Sequence, residues 1–325
     1  MNPKVSVLMC VYNGEKYLSQ AIDSIVNNGF NNYEVIVIND GSTDRSEELL
    51  VQYQKKYSQI KVVTKQNTGL TSALNIGLKL STGEYIARLD VDDLCLPGRL
   101  TVQSNYLDSH PDTSLVGCNA ILINQYGKKI GVSKVGKLSH EDCVHRLLSM
   151  KAFFAHSSWM VRRSGMLAIG GYNGFFKKAQ DYDFLLQFSE KYRINCLPEI
   201  LIALRKDEKS ISFDSEFLQY KYGITALLAY EVRSGRFPNL PKDCQGLFEI
   251  VSMWFANLKL GPKMLALQFA SLARYDFRGG EIIKGIIKLF SAVKAYPLIL
   301  INIKALKKMR DNTLVGLQAY LTEKR

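Results

Sequence analysis

The sequence predicts an α/β fold: a doubly wound, mostly parallel sheet followed by an α-helical C-terminal region. Three observations carry this. Short apolar runs alternate with amphipathic helical stretches through residues 1 to about 95, the pattern of strands joined by crossover helices. Three of those runs end in polar signatures, Tyr12-Asn13, Asn39-Asp40 and Asp90-Val91-Asp92, at the carboxyl ends of strands where open α/β sheets bind ligands. Beyond about residue 215 only helical periodicity remains.

Val5-Ser6-Val7-Leu8-Met9-Cys10-Val11 is nearly unbroken apolar sequence, as in a strand buried on both faces. Tyr12-Asn13-Gly14 ends it. A helix follows with Tyr17, Leu18, Ala21, Ile22, Ile25 and Val26 on one face. Glu34-Val35-Ile36-Val37-Ile38 is the second strand. After it, Ser42 or Thr43 is expected to cap the next helix, with Glu47 assisting. Ile60 to Thr64 is a third strand, residues 69–80 a third helix with Leu70, Ala73, Leu74 and Leu78 inward, and residues 85–89 a fourth strand. Residues 97–109 read as a helix with Pro97 in its first turn. Residues 114–124 and 129–132 flank Gln125-Tyr126-Gly127 as a hairpin. Residues 139–150 read as helix, 153–161 as a strand containing His156, 170–173 as a turn, 180–192 as helix and 194–204 as a last strand. Helices are then expected at about 215–235, 243–258, 262–275 and 279–310, with Pro297 breaking the last.

The 325 residues, 47% of them apolar, suffice for one large domain or a catalytic domain with a smaller companion. Six scattered cysteines (Cys10, Cys95, Cys118, Cys143, Cys196 and Cys244), with no Cys-x-x-Cys, argue against a zinc site or a disulfide framework and fit a reducing cytosol. Neither a secretory leader nor an eighteen-residue apolar span is expected. The net charge is +12, and residues 242–325 carry 14 Lys+Arg against 6 Asp+Glu, so +8 of it lies in the last quarter. There Ile282, Ile283, Ile286, Ile287, Phe290 and Val293 interleave with Lys284, Lys288 and Lys294. Such basic amphipathic helices read as lying on an anionic membrane surface, or more plainly as a helical subdomain with a solvated lysine face. The basic excess falls among aliphatic residues, not stacking aromatics, and no nucleic-acid module occurs; nucleic acid is not an expected partner.

The chemistry centres on Tyr85-Ile86-Ala87-Arg88-Leu89-Asp90-Val91-Asp92-Asp93-Leu94. Three acids within four positions repel one another, and a buried carboxylate is costly unless paired or metal-bound. An Asp-x-Asp at a strand end suits Mg²⁺ or Mn²⁺, which takes one or two carboxylates and leaves its other positions to water and substrate phosphates. The alternative is a solvated acidic loop. Neither a Gly-x-Gly-x-x-Gly fingerprint nor a Gly-x-x-x-x-Gly-Lys-Ser/Thr loop is present.

Over residues 3–212 the sequence resembles family 2 glycosyltransferases of the Rossmann-like glycosyltransferase-A fold, in their bacterial polysaccharide and O-antigen branch. The likeness rests on Val5-Ser6-Val7 to Tyr12-Asn13, Asn39-Asp40-Gly41-Ser42-Thr43-Asp44, Asn67-Thr68-Gly69-Leu70, Gly83-Glu84-Tyr85-Ile86, Leu89-Asp90-Val91-Asp92-Asp93, Gly170-Gly171-Tyr172 and Gln180-Asp181-Tyr182-Asp183, in that order. It implies a catalytic domain over 1–214, with a nucleotide-binding half (1–95) and an acceptor-binding half (96–214), before a basic helical region (215–325). It also implies inverting transfer of one sugar from a nucleotide-sugar, typically a UDP-sugar, to an acceptor hydroxyl. Tyr12, with Val11 and Asn13 beside it, would border the nucleoside, and Asp40 would bind the base. Asp90 and Asp92 would hold the ion on the diphosphate, and Asp181 would be the general base. Inversion calls for that division: a base on the acceptor side and charge stabilisation on the leaving side. Taken alone, Asp181 reads equally as a helix-dipole partner.

The sequence departs from the family pattern in places. Gln180 stands where the first acid of a pair is usual. Leu74 stands where an Arg is common, and Arg88 or Arg99 is expected to supply the missing basic contact to the nucleotide. The Gln-x-x-Arg-Trp motif of processive synthases is absent, so single transfers are expected. Asp93, His156 and Arg205 are candidate acceptor or phosphate contacts; His156 reads equally as a structural histidine. The expected acceptor is a polyprenyl-diphosphate-linked glycan, and the expected location is the cytoplasm, peripheral at the inner face of the membrane. A sugar nucleotidyltransferase and a non-catalytic nucleotide-binding protein are the alternatives; the first lacks a convincing phosphate loop at Tyr12-Asn13-Gly14-Glu15-Lys16.

Overall fold

A computed structural model of the chain describes residues 2–151, 153–206 and 216–257. The helices expected at 262–275 and 279–310, with their basic stripe, lie outside the described residues. The described residues form two compact units: residues 2–147 with 153–206, and residues 148–151 with 216–257.

The first unit is built on one sheet. Its opening half follows the apolar runs: β1 (Val5–Val11), α1 (Leu18–Val26), β2 (Tyr33–Asn39), α2 (Ser46–Lys56), β3 (Ile60–Thr64), α3 (Leu70–Leu80) and β4 (Tyr85–Arg88). These four strands are parallel, in the order β3-β2-β1-β4. All seven residues of β1 are buried. Val5, Val7, Met9 and Val11 belong to the same core as Leu18, Ala21, Ile22 and Ile25 of α1. From the other face Leu8 packs against Gly77 of α3, where a larger residue would collide with it. Covering both faces explains why the strand lacks polar alternation. Each such buried aliphatic side chain contributes about 1.5–3 kcal/mol over its exposed state.

The second half comprises β5 (Leu94–Cys95), α4 (Arg99–Ser109), β6 (Thr113–Ile123), β7 (Lys129–Ser133), α5 (His140–Leu148), β8 (Met160–Arg162), α6 (Arg163–Ala168), α7 (Gln180–Ser189) and β9 (Arg193–Arg205). The sheet continues β4-β8-β6-β9-β5, with β7 on β6. Here it is mixed: β6 and β9 are parallel, whereas β8 runs antiparallel to β4 and β6, and β5 antiparallel to β9. In the second unit, α8 (Glu216–Arg233) and α9 (Cys244–Asn257) bury Ile224, Leu228, Ala229, Leu247 and Val251 together.

Four local expectations are corrected. The strand expected over 153–161 is a 3-10 turn, His156–Ser158, followed by the three residues of β8. Ser158 donates from both Oγ (2.6 Å) and N (2.9 Å) to the Ala155 carbonyl, a local bond that competes with extended pairing. Neither Ser42 nor Thr43 caps α2; Asp44 Oδ1 accepts the Ser46 N–H at 3.0 Å instead. Pro97 precedes α4, which starts after Gly98 in the left-handed region (φ 78°). The helix beginning at Gln180 ends at Ser189, before Tyr192.

Candidate active site

In this order β1 lies between β2 and β4, so the chain leaves β1 toward one side of the sheet and reaches β4 on the other. The crevice beyond their carboxyl ends is where such sheets take ligands. The loops after β1, β2 and β4 carry the predicted residues.

The loops after β1 and β2 clasp each other. Asn13, held at φ 52°, accepts the Thr43 N–H on Oδ1 at 2.8 Å and donates its own N–H to Ser42 Oγ at 3.0 Å. Glu15 Oε2 accepts the Arg45 N–H (3.0 Å), and Asp44 Oδ2 accepts the Glu15 N–H (2.9 Å). Gly14 lies against Val91, the middle residue of Asp-x-Asp; a Cβ there would come within 2.7 Å of Val91 Cγ2. Tyr12 stands 50% exposed at the end of β1, free to present its ring.

Asp40 is buried at the end of β2. Its N–H donates to the Val11 carbonyl at 2.8 Å. Its carboxylate accepts the N–H groups of Thr68 (3.0 Å) and Gly69 (2.9 Å) and an ion pair from Lys65. Asp40 therefore orients the turn into α3, with both carboxylate oxygens engaged. Gly41, at φ 72°, is the only residue type that fits here without strain, since a Cβ would meet the Asn67 backbone at 2.7 Å.

The acidic turn follows β4. Asp90 pairs with Arg88, accepts Ser157 Oγ–H on Oδ2 at 2.8 Å and donates its N–H to the same oxygen at 3.0 Å. Burial would raise its pKa, but the Arg88 guanidinium and the Ser157 hydroxyl outweigh it and hold the carboxyl below the usual range. Asp92 is pushed up to about 6, first by burial and then by the Asp90 charge. Asp93 is pushed well above the usual carboxylate range by burial and by both neighbours; its Oδ1 accepts the Arg205 N–H at 2.8 Å. Cys10, between the Asp40–Lys65 and Asp90–Arg88 pairs, is pushed up to about 12 by burial and is no nucleophile.

Asp181 is the second residue of α7, directly after Ala179, which sits in the left-handed region at φ 54°. Burial raises its pKa; the Tyr182 N–H at 2.8 Å opposes this, and the Asp90 charge adds to it. Tyr172 links the two regions: its ring lies 4.9 Å from that of Phe184 on α7, and its hydroxyl lies 2.7 Å from Nε2 of His156, the neighbour of the Ser157 that holds Asp90.

The fold thus brings Val11, Tyr12, Asn13, Asp40, Asp90, Asp92 and Asp181 to one end of the sheet. Five other expectations change. Arg88 is 2% exposed, its guanidinium spent on Asp90 and the Leu8 and Leu89 carbonyls, so it supports the turn and does not reach a nucleotide. Arg99 is buried among Gln103 and the carbonyls of Arg88 and Trp159. His156, pushed down to about 3 by burial and then by Arg88, is neutral; its Nε2 lies 2.7 Å from the Tyr172 hydroxyl, so it is structural. Arg205, 3% exposed, spends its guanidinium on the Asp92, Asn124 and Gln125 carbonyls and on Gln20 Oε1. Asp93 is likewise an anchor. Sequence reasoning missed Ser157 and Lys65. Ser157 stood beside the histidine that drew attention; Lys65 ends the third apolar run, two residues before Asn67-Thr68-Gly69.

The donor chemistry fits a divalent ion. Two carboxylates, one of them with its ionisation suppressed by burial and a like charge, match what Mg²⁺ or Mn²⁺ takes from a protein when phosphates supply the rest. Among the described residues no group of three or more His, Cys, Asp and Glu side chains is arranged to hold a metal.

An open, doubly covered sheet with an acidic turn beyond β4 is the frame that the resemblance to A-type glycosyltransferases implies. The profile described as Glycosyl transferase family 2 matches residues 6–169. EpsE of Bacillus subtilis is 32% identical over 235 residues, covering 70% of this chain and 81% of that protein. The O-antigen biosynthesis glycosyltransferase WbnJ of Escherichia coli is 32% identical over 210 residues, 63% of this chain and 81% of its own. Among solved structures, S. aureus TarS 1-349 in complex with UDP-GlcNAc superposes with a TM-score of 0.57 at 18% identity, over 90% of this chain and 91% of that one, a likeness of fold. The chain belongs to glycosyl transferase family 2 and is a glycosyltransferase, which removes the nucleotidyltransferase and non-catalytic alternatives.

Proposed function

We propose that this chain transfers a single sugar from a UDP-sugar to an acceptor hydroxyl with inversion, in the synthesis of a cell-surface polysaccharide on a polyprenyl-diphosphate-linked acceptor. One observation carries the reading: two carboxylates in one neighbourhood are driven in opposite directions, Asp90 down beside Arg88 and Asp181 up by burial. Groups so separated take separate roles. Asp90 stays anionic on the leaving-group side with Asp92. Asp181, with its proton affinity raised, takes the acceptor proton, a contribution of roughly 10²–10⁴-fold. Tyr12 borders the base, and Asp40 offers it a carboxylate oxygen. Asp92 and Asp90 would hold Mn²⁺ or Mg²⁺, which when bound neutralises charge developing on the diphosphate.

The names of relatives support the pathway class: WbnJ is named for O-antigen biosynthesis and AmsE of Erwinia amylovora for amylovoran biosynthesis. The neighbouring structure in complex with UDP-GlcNAc supports a uridine donor. Among the described residues no helix is long and apolar enough to cross a membrane; the excess of +8 over residues 242–325 supports peripheral contact with an anionic surface at the cytoplasmic face.

The test is calorimetric titration of UDP, GDP and dTDP, each with and without Mn²⁺. Mn²⁺-dependent binding of UDP alone is expected. Preference for another nucleotide would replace the donor, and absence of binding by all three would remove the reading.

A further inference from the structure

Arg205 makes more connections than its place at the end of a strand requires. Its backbone N–H donates to Asp93 Oδ1 at 2.8 Å, and its Nε donates to the Asp92 carbonyl at 2.9 Å. One terminal nitrogen reaches the carbonyls of Asn124 (3.0 Å) and Gln125 (3.4 Å) at the tip of the β6–β7 hairpin. The other donates to Gln20 Oε1 on α1 at 2.9 Å. The guanidinium lies 4.3 Å from the centre of the ring of Tyr17, the residue just before α1. A planar cation with donors fixed in a fork holds such a set in one geometry; a lysine has one donor atom on a flexible stem and cannot.

We propose that Arg205 is a positioning residue that sets the acidic turn and the hairpin tip in one register against α1, and so fixes where Asp92 presents its carboxylate. Beyond the turn, Cys95 N–H donates to Ser24 Oγ on α1 at 2.9 Å and the Leu96 carbonyl accepts Asn28 Nδ2 at 2.6 Å, but these hold β5 and not the Asp92–Asp93 end of the turn. β5, which follows it, is two residues long and pairs only with β9, the strand that Arg205 terminates. Arg205 therefore touches the outer end of the turn from the strand side, while Arg88 and Ser157 hold Asp90 at the inner end. The role toward a bound ion rests on the metal-diphosphate reading above; the role in ordering the turn does not.

Two variants and two readouts test this. Arg205→Lys keeps the charge and loses the fork. Gln20→Ala removes an anchor without touching turn or hairpin. In the nucleotide-free protein, hydrogen exchange of peptides spanning residues 89–96 and 123–129 is expected to rise in both segments for Arg205→Lys, and by less for Gln20→Ala. In UDP titration, Mn²⁺-dependent affinity is expected to fall about 10–100-fold for Arg205→Lys, the usual cost of losing an outer support of a metal ligand, with metal-free UDP binding unchanged. Unchanged exchange in both segments overturns the proposal. So does an equal loss of UDP affinity with and without Mn²⁺, the mark of a direct phosphate contact. If Arg205→Lys fails to fold, Gln20→Ala decides alone. Absence of Mn²⁺-dependent UDP binding in the parent protein would sink the donor reading while leaving the exchange result to judge Arg205.

Discussion

Asp92 weakens the fold when it is ionised. An unfolded aspartate ionises near 3.8, whereas Asp92 in the folded chain ionises near 6. The folded state holds the proton more tightly, so the stability tied to this group is complete below the unfolded value and is lost as pH rises through about 6. In chelator, Asp92→Asn should therefore raise the melting temperature at pH 7.5, with the gain shrinking toward zero near pH 4. A thermal melt series across pH reads this directly, and a constant gain would contradict it. The sign reverses at Asp90. Its carboxylate answers the buried Arg88, so Asp90→Asn should destabilise at neutral pH by about 2 kcal/mol, below the figure for a fully buried pair because Asp90 is 37% exposed. Chemical denaturation measures it. At the third carboxylate, Asp181→Asn should leave UDP affinity intact and lower turnover on the order of 10²-fold or more; normal turnover would move the base elsewhere.

At the scale of elements, helix α3 is what aligns the two sides of the site. Its N-terminal turn is oriented by Asp40. Farther along, Asn75 donates to the Tyr172 carbonyl at 2.7 Å and accepts the Tyr172 N–H at 2.8 Å, while Thr71 Oγ–H donates to the Phe176 carbonyl at 2.8 Å. The loop it grips leads into α7 and Asp181. Asn75→Ala should thus cut kcat about tenfold while UDP affinity holds, and steady-state kinetics beside calorimetry separate the two. The landmarks of this arrangement were legible: unbroken apolar runs gave β1 to β4, and three polar strand ends gave the crevice. Other features were not. β5, β8 and the 3-10 turn are too short for periodicity to register. Arg88 and Arg205 looked like ligand contacts because a cation at a strand end has no visible partner in sequence. Arg88 in fact answers Asp90, two positions on, and two carbonyls, whereas Arg205 answers carbonyls and a glutamine 185 positions away, pairings that leave no local pattern.

For the whole molecule the charge distribution matters. The chain carries +12, most of it after residue 241. Full-length protein should float with vesicles rich in anionic lipid, fail to float with zwitterionic ones, and detach as salt rises. Salt-independent binding, or none, would remove the membrane part of the proposal. The descriptions of fold and site stand apart from it, because both lie within the first compact unit.

The connection from Arg205 to Gln20 also bears on how the chain comes into being. The clasp between the loops after β1 and β2 closes over about thirty residues, Asn13 to Ser42 and Glu15 to Arg45, and these can form early in synthesis. The acidic turn is finished only when β9 arrives, more than a hundred residues after it. Loop closure over such a span is the slower event. A nascent chain should therefore close the clasp after β1 and β2 long before it completes the acidic turn, and a chain arrested short of residue 205 would carry the first without the second.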